Sequence, residues 1–307
     1  MENKAYSSVI GSQNAPFINS LATAGTTIPN YHSYGATVPI SGCSAGCYVA
    51  LVSGSDQGVS DGYSCCISST TILDQLESAG LTWAAYCEDG CSRGADHFPF
   101  LGFATTQNSP NVHITNNGFT DFVNEADSAN PPNFLWFTPT DGHNMHDNLV
   151  PSGDNYVKSL LVGSGTIANP SPGSLFATNL FKNAATTRTM FYLWWDEYDP
   201  SPNVEYGPMI KTGYTSQNNT YDEFATLRTM EDNWGLAPLL NAAPAAVTSD
   251  IFVSITPPPP TPPPSTPPTG TPTLATFTWL LLTIGIVFFV TIVALLLAVL
   301  RGKKEAH

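Results

Sequence analysis

Two acidic residues, Asp196 and Glu197, close the apolar and aromatic run FYLWWDEYD at 191–199. Adjacent carboxylates at the end of a buried strand are costly unless something positive joins them, and a divalent cation would supply that charge. Ordinary loop acids that cap the next element are the competing reading. A second polar cluster, TPTDGHNMHDNLVPSGDNYVKSLL at 138–161, places His143, His146, Asp147 and Asp154 in a short loop before a helix. Histidines three apart beside an acid suit metal binding, phosphate contact or proton transfer. A solvated loop with two incidental histidines would look the same. In SGCSAGCYVALVSGSDQG at 41–58, Ser44 stands in a turn of small residues ahead of an apolar run. Small neighbours leave a hydroxyl exposed, and a helix N-terminus beneath it would favour an anion there. A disulfide-tied turn explains those residues as well. Glu2 and Asn3, directly behind Met1, are two further oxygen ligands.

These side chains need elements to aim them, and the region 1–252 reads as an α/β head. TTILDQLESAGLTWAAY carries Ile72, Leu73 and Leu76 at helical spacing, then Gly80 as a stop, then a strand-like run. NFLWFTP and TMFYLWWDE are too short for helices and read as buried strands. Their C-terminal ends meet loops, where open α/β sheets place their ligands. YDEFATLRTMEDNWG is a second amphipathic helix, with Phe224, Leu227 and Met230 on one side and Gly235 as terminator.

Acidic residues outnumber basic ones 24 to 10, for a formal net charge of -14. Nucleic-acid binding needs Lys and Arg to displace counterions, so no nucleic-acid partner is expected. All six cysteines, Cys43, Cys47, Cys65, Cys66, Cys87 and Cys91, fall in the first third of the chain. An even, clustered set points to disulfides in an oxidising compartment, and the two C-x-x-x-C spacings leave a metal site as the alternative.

The C-terminus has a different composition. Residues 277–300, FTWLLLTIGIVFFVTIVALLLAVL, contain no charge. At about 1.5 Å per residue such a helix crosses a ~30 Å hydrocarbon core with some tilt. Arg301, Lys303 and Lys304 follow at once and place the tail in the cytoplasm. Before it, TPPPPTPPPSTPPTGTPT at 256–273 can pack neither as helix nor as sheet and reads as a semi-rigid spacer. The expected organisation is a head (1–252), a Pro-rich stalk (253–273), a single transmembrane helix (274–300) and a cytoplasmic tail (301–307). The head then stands outside the cell membrane.

Taken together, MENKAYSSVIG, NSLATAGTTIPNY, YVALVSG, DQLESAGLTWAAYCED, HFPF, MHD followed by SGD, WDE and LRTMEDNWGL resemble, in order and spacing, the phosphoesterase family of acid phosphatases and phospholipase C enzymes. The likeness covers about residues 1–245. It implies an alkaline phosphatase-like three-layer α/β/α head. It also implies metal-dependent hydrolysis of phosphate monoesters through a phosphoserine. Glu2 and Asn3 match the family's metal-binding pair, Asp196 and Glu197 the acidic pair that completes the site, and Ser44 the nucleophile, itself a metal ligand. His97 of HFPF, and His146 with Asp147 of MHD, match residues lining the phosphate site. The cofactor implied is a divalent metal ion, Mg, Ca, Mn or Zn, and the partner a small phosphorylated substrate.

The chain departs from the pattern in four places. Cys43 and Cys47 replace a proline and an asparagine around Ser44, so a Cys43–Cys47 or a longer-range disulfide would shape that turn. Asp96 stands where a basic residue commonly precedes the HFPF histidine, and Glu223 where a histidine often precedes Leu-Arg. Finally, the resemblance puts an apolar strand just before the Glu-Asn pair, where Met1 stands. A head ahead of its only anchor also needs an export signal, and residues 1–30 lack an apolar stretch for one. The expectation is a start at an internal methionine, with the first strand upstream. Two rivals remain: a phospholipase C-like phosphodiesterase, and a non-catalytic surface protein using the same fold for adhesion or sugar binding.

Overall fold

The computed structural model describes residues 1–34, 43–218 and 221–253. The expected membrane helix and cytoplasmic tail, and all of the stalk beyond Val253, lie outside these. Among the described residues no helix is long and apolar enough to cross a membrane. In chain order the elements are α1 (Tyr6–Val9), α2 (Pro16–Ala24), β1 (Thr26–Thr27), α3 (Ser44–Ser53), α4 (Ile72–Ser78), β2 (Trp83–Cys87), β3 (Val112–Ile114), α5 (Thr120–Ala126), β4 (Phe134–Thr138), α6 (Val150–Val162), α7 (Asn179–Lys182), α8 (Ala184–Thr187), β5 (Phe191–Trp194), β6 (Asn203–Tyr206), β7 (Tyr214–Thr215) and α9 (Glu223–Trp234).

β2 organises the interior. It is central in a parallel sheet of order β3-β2-β4, in register Ala85 with Val112 and with Trp136. Strand side chains alternate between faces, and both faces of β2 are covered. Ala84 and Tyr86 join a core with Ile18 and Leu21 of α2, Phe122 of α5 and Leu161 of α6. Trp83, Ala85 and Cys87 join another with Val49 and Val52 of α3, Ile72, Leu73 and Leu76 of α4, and Leu227 of α9. The parallel sheet therefore lies between two helical layers. α4 forms where the apolar spacing expects a helix, and a reciprocal capping box between Thr71 and Asp74 fixes its start.

The remaining strands form a separate mixed sheet of order β5-β6-β1-β7, so the α/β expectation holds with two sheets in place of one. β4 and β5 each end their sheet, which leaves them half-buried, where their apolar sequences suggest full burial. The first two residues of the chain bond near the C-terminal ends of these strands. The Met1 ammonium donates to the Trp194 carbonyl at 2.9 Å, Asp196 N–H donates to the Met1 carbonyl, and Glu2 N–H donates to the Asn144 carbonyl at 2.8 Å.

α3 is buried along its whole length, and it ends at Gly54, whose φ of 75° suits glycine. A Cβ on Gly54 would meet the Leu239 carbonyl oxygen at 2.4 Å. α9 differs from its predicted face. Leu227 is buried, but so are Glu223, Thr229 and Glu231, while Phe224 and Met230 are only partly covered. Packing on both α3 and the second sheet turns the polar side of the helix inward. The six cysteines pair as Cys43–Cys47, Cys65–Cys66 and Cys87–Cys91, which realises the shorter of the two pairings weighed for the Ser44 turn.

Candidate active site

The C-terminal ends of β2, β4 and β5 deliver the polar residues, as the pattern of apolar runs ending in polar loops requires. β5 leads into Asp196 and Glu197, both buried. Glu2, brought alongside by the Met1 backbone bonds, is fully buried too. Its Oε1 accepts a hydrogen bond from Tyr48 of α3 and lies 3.5 Å from His97 Nδ1. Burial, opposed by the N-terminal ammonium and the Tyr48 bond, pushes the Glu2 carboxyl up to about 7. Asp196 rises well above the usual carboxylate range, through burial first and then the charges of Glu2 and Glu197. Glu2 Oε2, Asn3 Oδ1 and both carboxylate oxygens of Asp196 are buried with no donor to satisfy them, and the Glu2 and Asp196 carboxyls face each other.

Ser44 is the first residue of α3 and is buried. Its neighbour Cys43 has its sulfur 3.2 Å from the Asp196 carbonyl oxygen, which sets the Ser44 turn beside the acidic group. The Cys43–Cys47 disulfide closes the first turn of the helix at a Cα separation of 5.3 Å. A Cβ at Gly46 would stand 2.6 Å from the Tyr34 hydroxyl, so a larger residue there would displace the end of that side chain.

His97 is buried, stacked on Tyr48, and its Nδ1 is 3.4 Å from Asp141 Oδ1. Burial pushes it down to about 4, so it is neutral at pH 7. Its ring lies 5.7 Å from that of His146. His146 in turn contacts Asp147 Oδ1 through Nδ1 at 2.6 Å and Arg93 Nη2 through Nε2 at 2.8 Å. An arginine only donates, so Nε2 is the acceptor here and Nδ1 carries the proton given to Asp147. Arg93 Nε also donates to Asp141 Oδ2 at 2.6 Å. Burial works to raise Asp141, but the Arg93 bond and the nearby His97 and Arg93 charges outweigh it and hold the carboxyl low. One ligand atom each from Asp141, His146 and Asp147 lies within 4.8 Å of the others.

Glu2, Asp196, His97, His146 and Asp147 are thus brought together, Glu197 follows Asp196 in the chain, and the Ser44 turn adjoins Asp196 through Cys43. Asp154 and His143 go elsewhere. The Asp154 carboxylate accepts from the N–H groups of Phe17 and Ile18 and anchors the start of α2. His143 Nδ1 sits 2.8 Å from the buried Glu88, which also accepts from the Tyr156 hydroxyl and Thr140 N–H. The two histidines part because residues 139–147 form tight turns, with Met145 at φ 81°, and not a helix on which three-residue spacing shares a face. Asp96 accepts from Gly62 N–H at 2.9 Å and fastens a loop. Arg93, Asp141 and Tyr48 are the site residues that sequence reasoning passes over. The available signal was scarcity, since Arg93 is one of only ten basic residues.

The orphaned oxygens test whether a cation suits this place. Buried carboxylates without partners are unfavourable unless a positive charge joins them. An all-oxygen donor set of Glu2, Asn3 and Asp196 has the chemistry of a hard divalent ion.

Residues 4–165 match the Phosphoesterase family. The phosphatidylinositol-3-phosphatase of Mycobacterium tuberculosis (strain ATCC 25618 / H37Rv) is 26% identical over 269 residues, 82% of this chain and 80% of the relative. Among solved structures, Ps i-CgsB in complex with k-i-k-neocarrahexaose aligns with a TM-score of 0.47 and 12% identity over 80% of this chain and 74% of that one. The phosphonate monoester hydrolase SpPMH from Silicibacter pomeroyi aligns with a TM-score of 0.42 and 11% identity over 76% and 71%. At these scores neither structural likeness bears on the site.

Proposed function

Because this chain belongs to the Phosphoesterase family and is a phosphoric ester hydrolase, we propose that it hydrolyses phosphate monoesters through a phosphoserine on Ser44. The observation that carries this reading is the set of buried oxygens with no donor on Glu2, Asn3 and Asp196 beside the Ser44 turn. Glu2, Asn3, Asp196 and Glu197, with Ser44, would hold a divalent ion. When bound, that ion supplies positive charge to the transferring phosphoryl group. Ser44 Oγ gives up its proton to water and bonds to phosphorus, at a helix N-terminus that favours negative charge. The phosphorus–ester oxygen bond breaks, and the leaving oxygen takes a proton from water. Water then breaks the serine–phosphate bond. His97, neutral and wedged between Glu2 and Asp141, positions these groups and excludes water. The alkaline phosphatase-like fold belongs to the same proposal, supported by the sheet between two helical layers.

A lipid headgroup monoester is a second substrate reading, favoured by the relative named as a phosphatidylinositol-3-phosphatase. Anchorage in the cell membrane with the head outside is proposed from the uncharged run 277–300, the basic residues after it, and three disulfides in the head.

The test is hydrolysis of p-nitrophenyl phosphate by the full chain in detergent. Ser44→Ala is expected to lower turnover at least a thousandfold with the fold intact, and a chelator to stop the wild type reversibly. Undiminished turnover in Ser44→Ala would sink the nucleophile assignment. Turnover of bis(p-nitrophenyl) phosphate in preference to the monoester would favour the diesterase rival.

A further inference from the structure

The candidate site holds five carboxylates, Glu2, Asp141, Asp147, Asp196 and Glu197, yet its proposed substrate is a dianion. One divalent ion cannot offset that much negative charge. The sequence offers no basic residue beside His97, where Asp96 stands and is used to fasten Gly62. The cation arrives from three residues further back. Arg93 Nε is held by Asp141 and Nη2 rests on His146, while Nη1 makes no hydrogen bond among the described residues. Lys4, a second cation near Glu2, is spent on the Met145 carbonyl at 2.6 Å.

The backbone around Arg93 is built to hold it still. Cys87 ends β2 and is tied to Cys91, two residues before Arg93. Successive turns follow: Cys91 N–H donates to Glu88, Gly94 N–H to Cys91 at 2.8 Å, and Asp96 N–H to Arg93. Cys91 and Gly94 adopt positive φ, 53° and 51°, to close them. A side chain so braced loses little freedom when it binds an anion, and a guanidinium fork suits phosphoryl oxygens.

We propose that Arg93 is the phosphoryl clamp of this site, that it exchanges its contact with His146 for two non-bridging phosphoryl oxygens, and that it thereby selects doubly charged monoesters over singly charged diesters. Asp141 is its positioning residue. The inference rests on the hydrolase reading above and deepens it.

The experiment measures two things on the full chain in detergent micelles. One is binding of inorganic phosphate, by calorimetry. The other is kcat/KM for p-nitrophenyl phosphate and for bis(p-nitrophenyl) phosphate. Arg93→Ala is expected to weaken phosphate binding by roughly ten- to a hundredfold. It should lower monoester kcat/KM at least as much, and diester kcat/KM less than about threefold. Arg93→Lys, which keeps the charge and loses the fork, should recover part of the phosphate affinity. A residue that merely braces Asp141 and His146 would lower both esters together and leave their ratio unchanged, which overturns the clamp. If Arg93→Ala fails to fold, Arg93→Lys decides, since an unchanged ratio and unchanged phosphate affinity also overturn it. A wild type that binds phosphate but hydrolyses neither ester refutes the hydrolase reading alone, and the binding arm still judges Arg93. A wild type that binds no phosphate overturns the clamp.

Discussion

At the scale of single residues, the site is a collection of charges that the interior tolerates poorly without help. Glu2 at about 7 and Asp196 well above the usual range bind protons more tightly folded than unfolded. Stability of the metal-free protein is therefore greatest at low pH and falls as pH rises from the unfolded carboxylate value through about 7. His97, held near 4, acts in the opposite direction, but only between about 4 and its ordinary value of 6.5. Above that, the Met1 amino group, lowered by burial, still acts against them, while Glu205, Glu223 and Glu231, raised by burial, act in the same direction as the site carboxylates. The Glu2 shift from 4.5 to about 7 corresponds to ~3 kcal/mol. Thermal melts of chelated protein should show Tm dropping between pH 6.5 and 8. Added Mg or Mn should reverse that drop, because a bound cation needs the deprotonated ligands. Asp196→Asn should lose the metal response and lessen the pH dependence, the remainder coming from Glu2, Glu205, Glu223 and Glu231. A chelated protein whose Tm rises from pH 6.5 to 8 would show that these carboxylates are not strained.

At the scale of elements, the disulfides replace geometry that backbone chemistry would otherwise provide. Cys43–Cys47 closes the first turn of α3, so Ser44 is held on a helix end without a proline beside it. The loop it closes is short, and its entropic contribution is about 2 kcal/mol. Replacing both cysteines with alanine should lower unfolding stability by about that amount in a denaturant titration. Monoester turnover should fall further than stability alone explains, tenfold or more, because the hydroxyl loses its fixed direction. Equal kcat in the double variant would mean that packing of the fully buried α3 suffices to aim Ser44. The loop at 139–147 makes the companion point, since its turns send His146 into the site and His143 to Glu88.

At the scale of the whole molecule, a head of sheet and helix precedes a Pro-rich stretch and an uncharged run ending in Arg301, Lys303 and Lys304. The proposal that the run anchors the chain is checked by fractionation. Full-length protein should stay with membranes through an alkaline carbonate wash, and a chain ending at residue 253 should be released to the soluble fraction. Release of the full chain by carbonate would refute the anchor.

Composition, local period and motif order were enough to place the helices α4 and α9, the strands β2, β4 and β5, and the family, because each depends on neighbours in the chain. Ile72, Leu73 and Leu76 at helical spacing announce α4, and apolar runs ending in Asp196 or in the 139–147 loop announce where polar groups collect. Only the tertiary structure decided which of those polar groups meet. Asp154 caps α2, Asp96 fastens Gly62, and Arg93 reaches Asp141 across 48 residues. Likewise, the edge position of β4 and β5 and the inward turn of Glu223 and Glu231 follow from which element lies alongside which. Charges act through space and sequence patterns act along the chain, so a pairing between distant loops leaves no local period from which to read it.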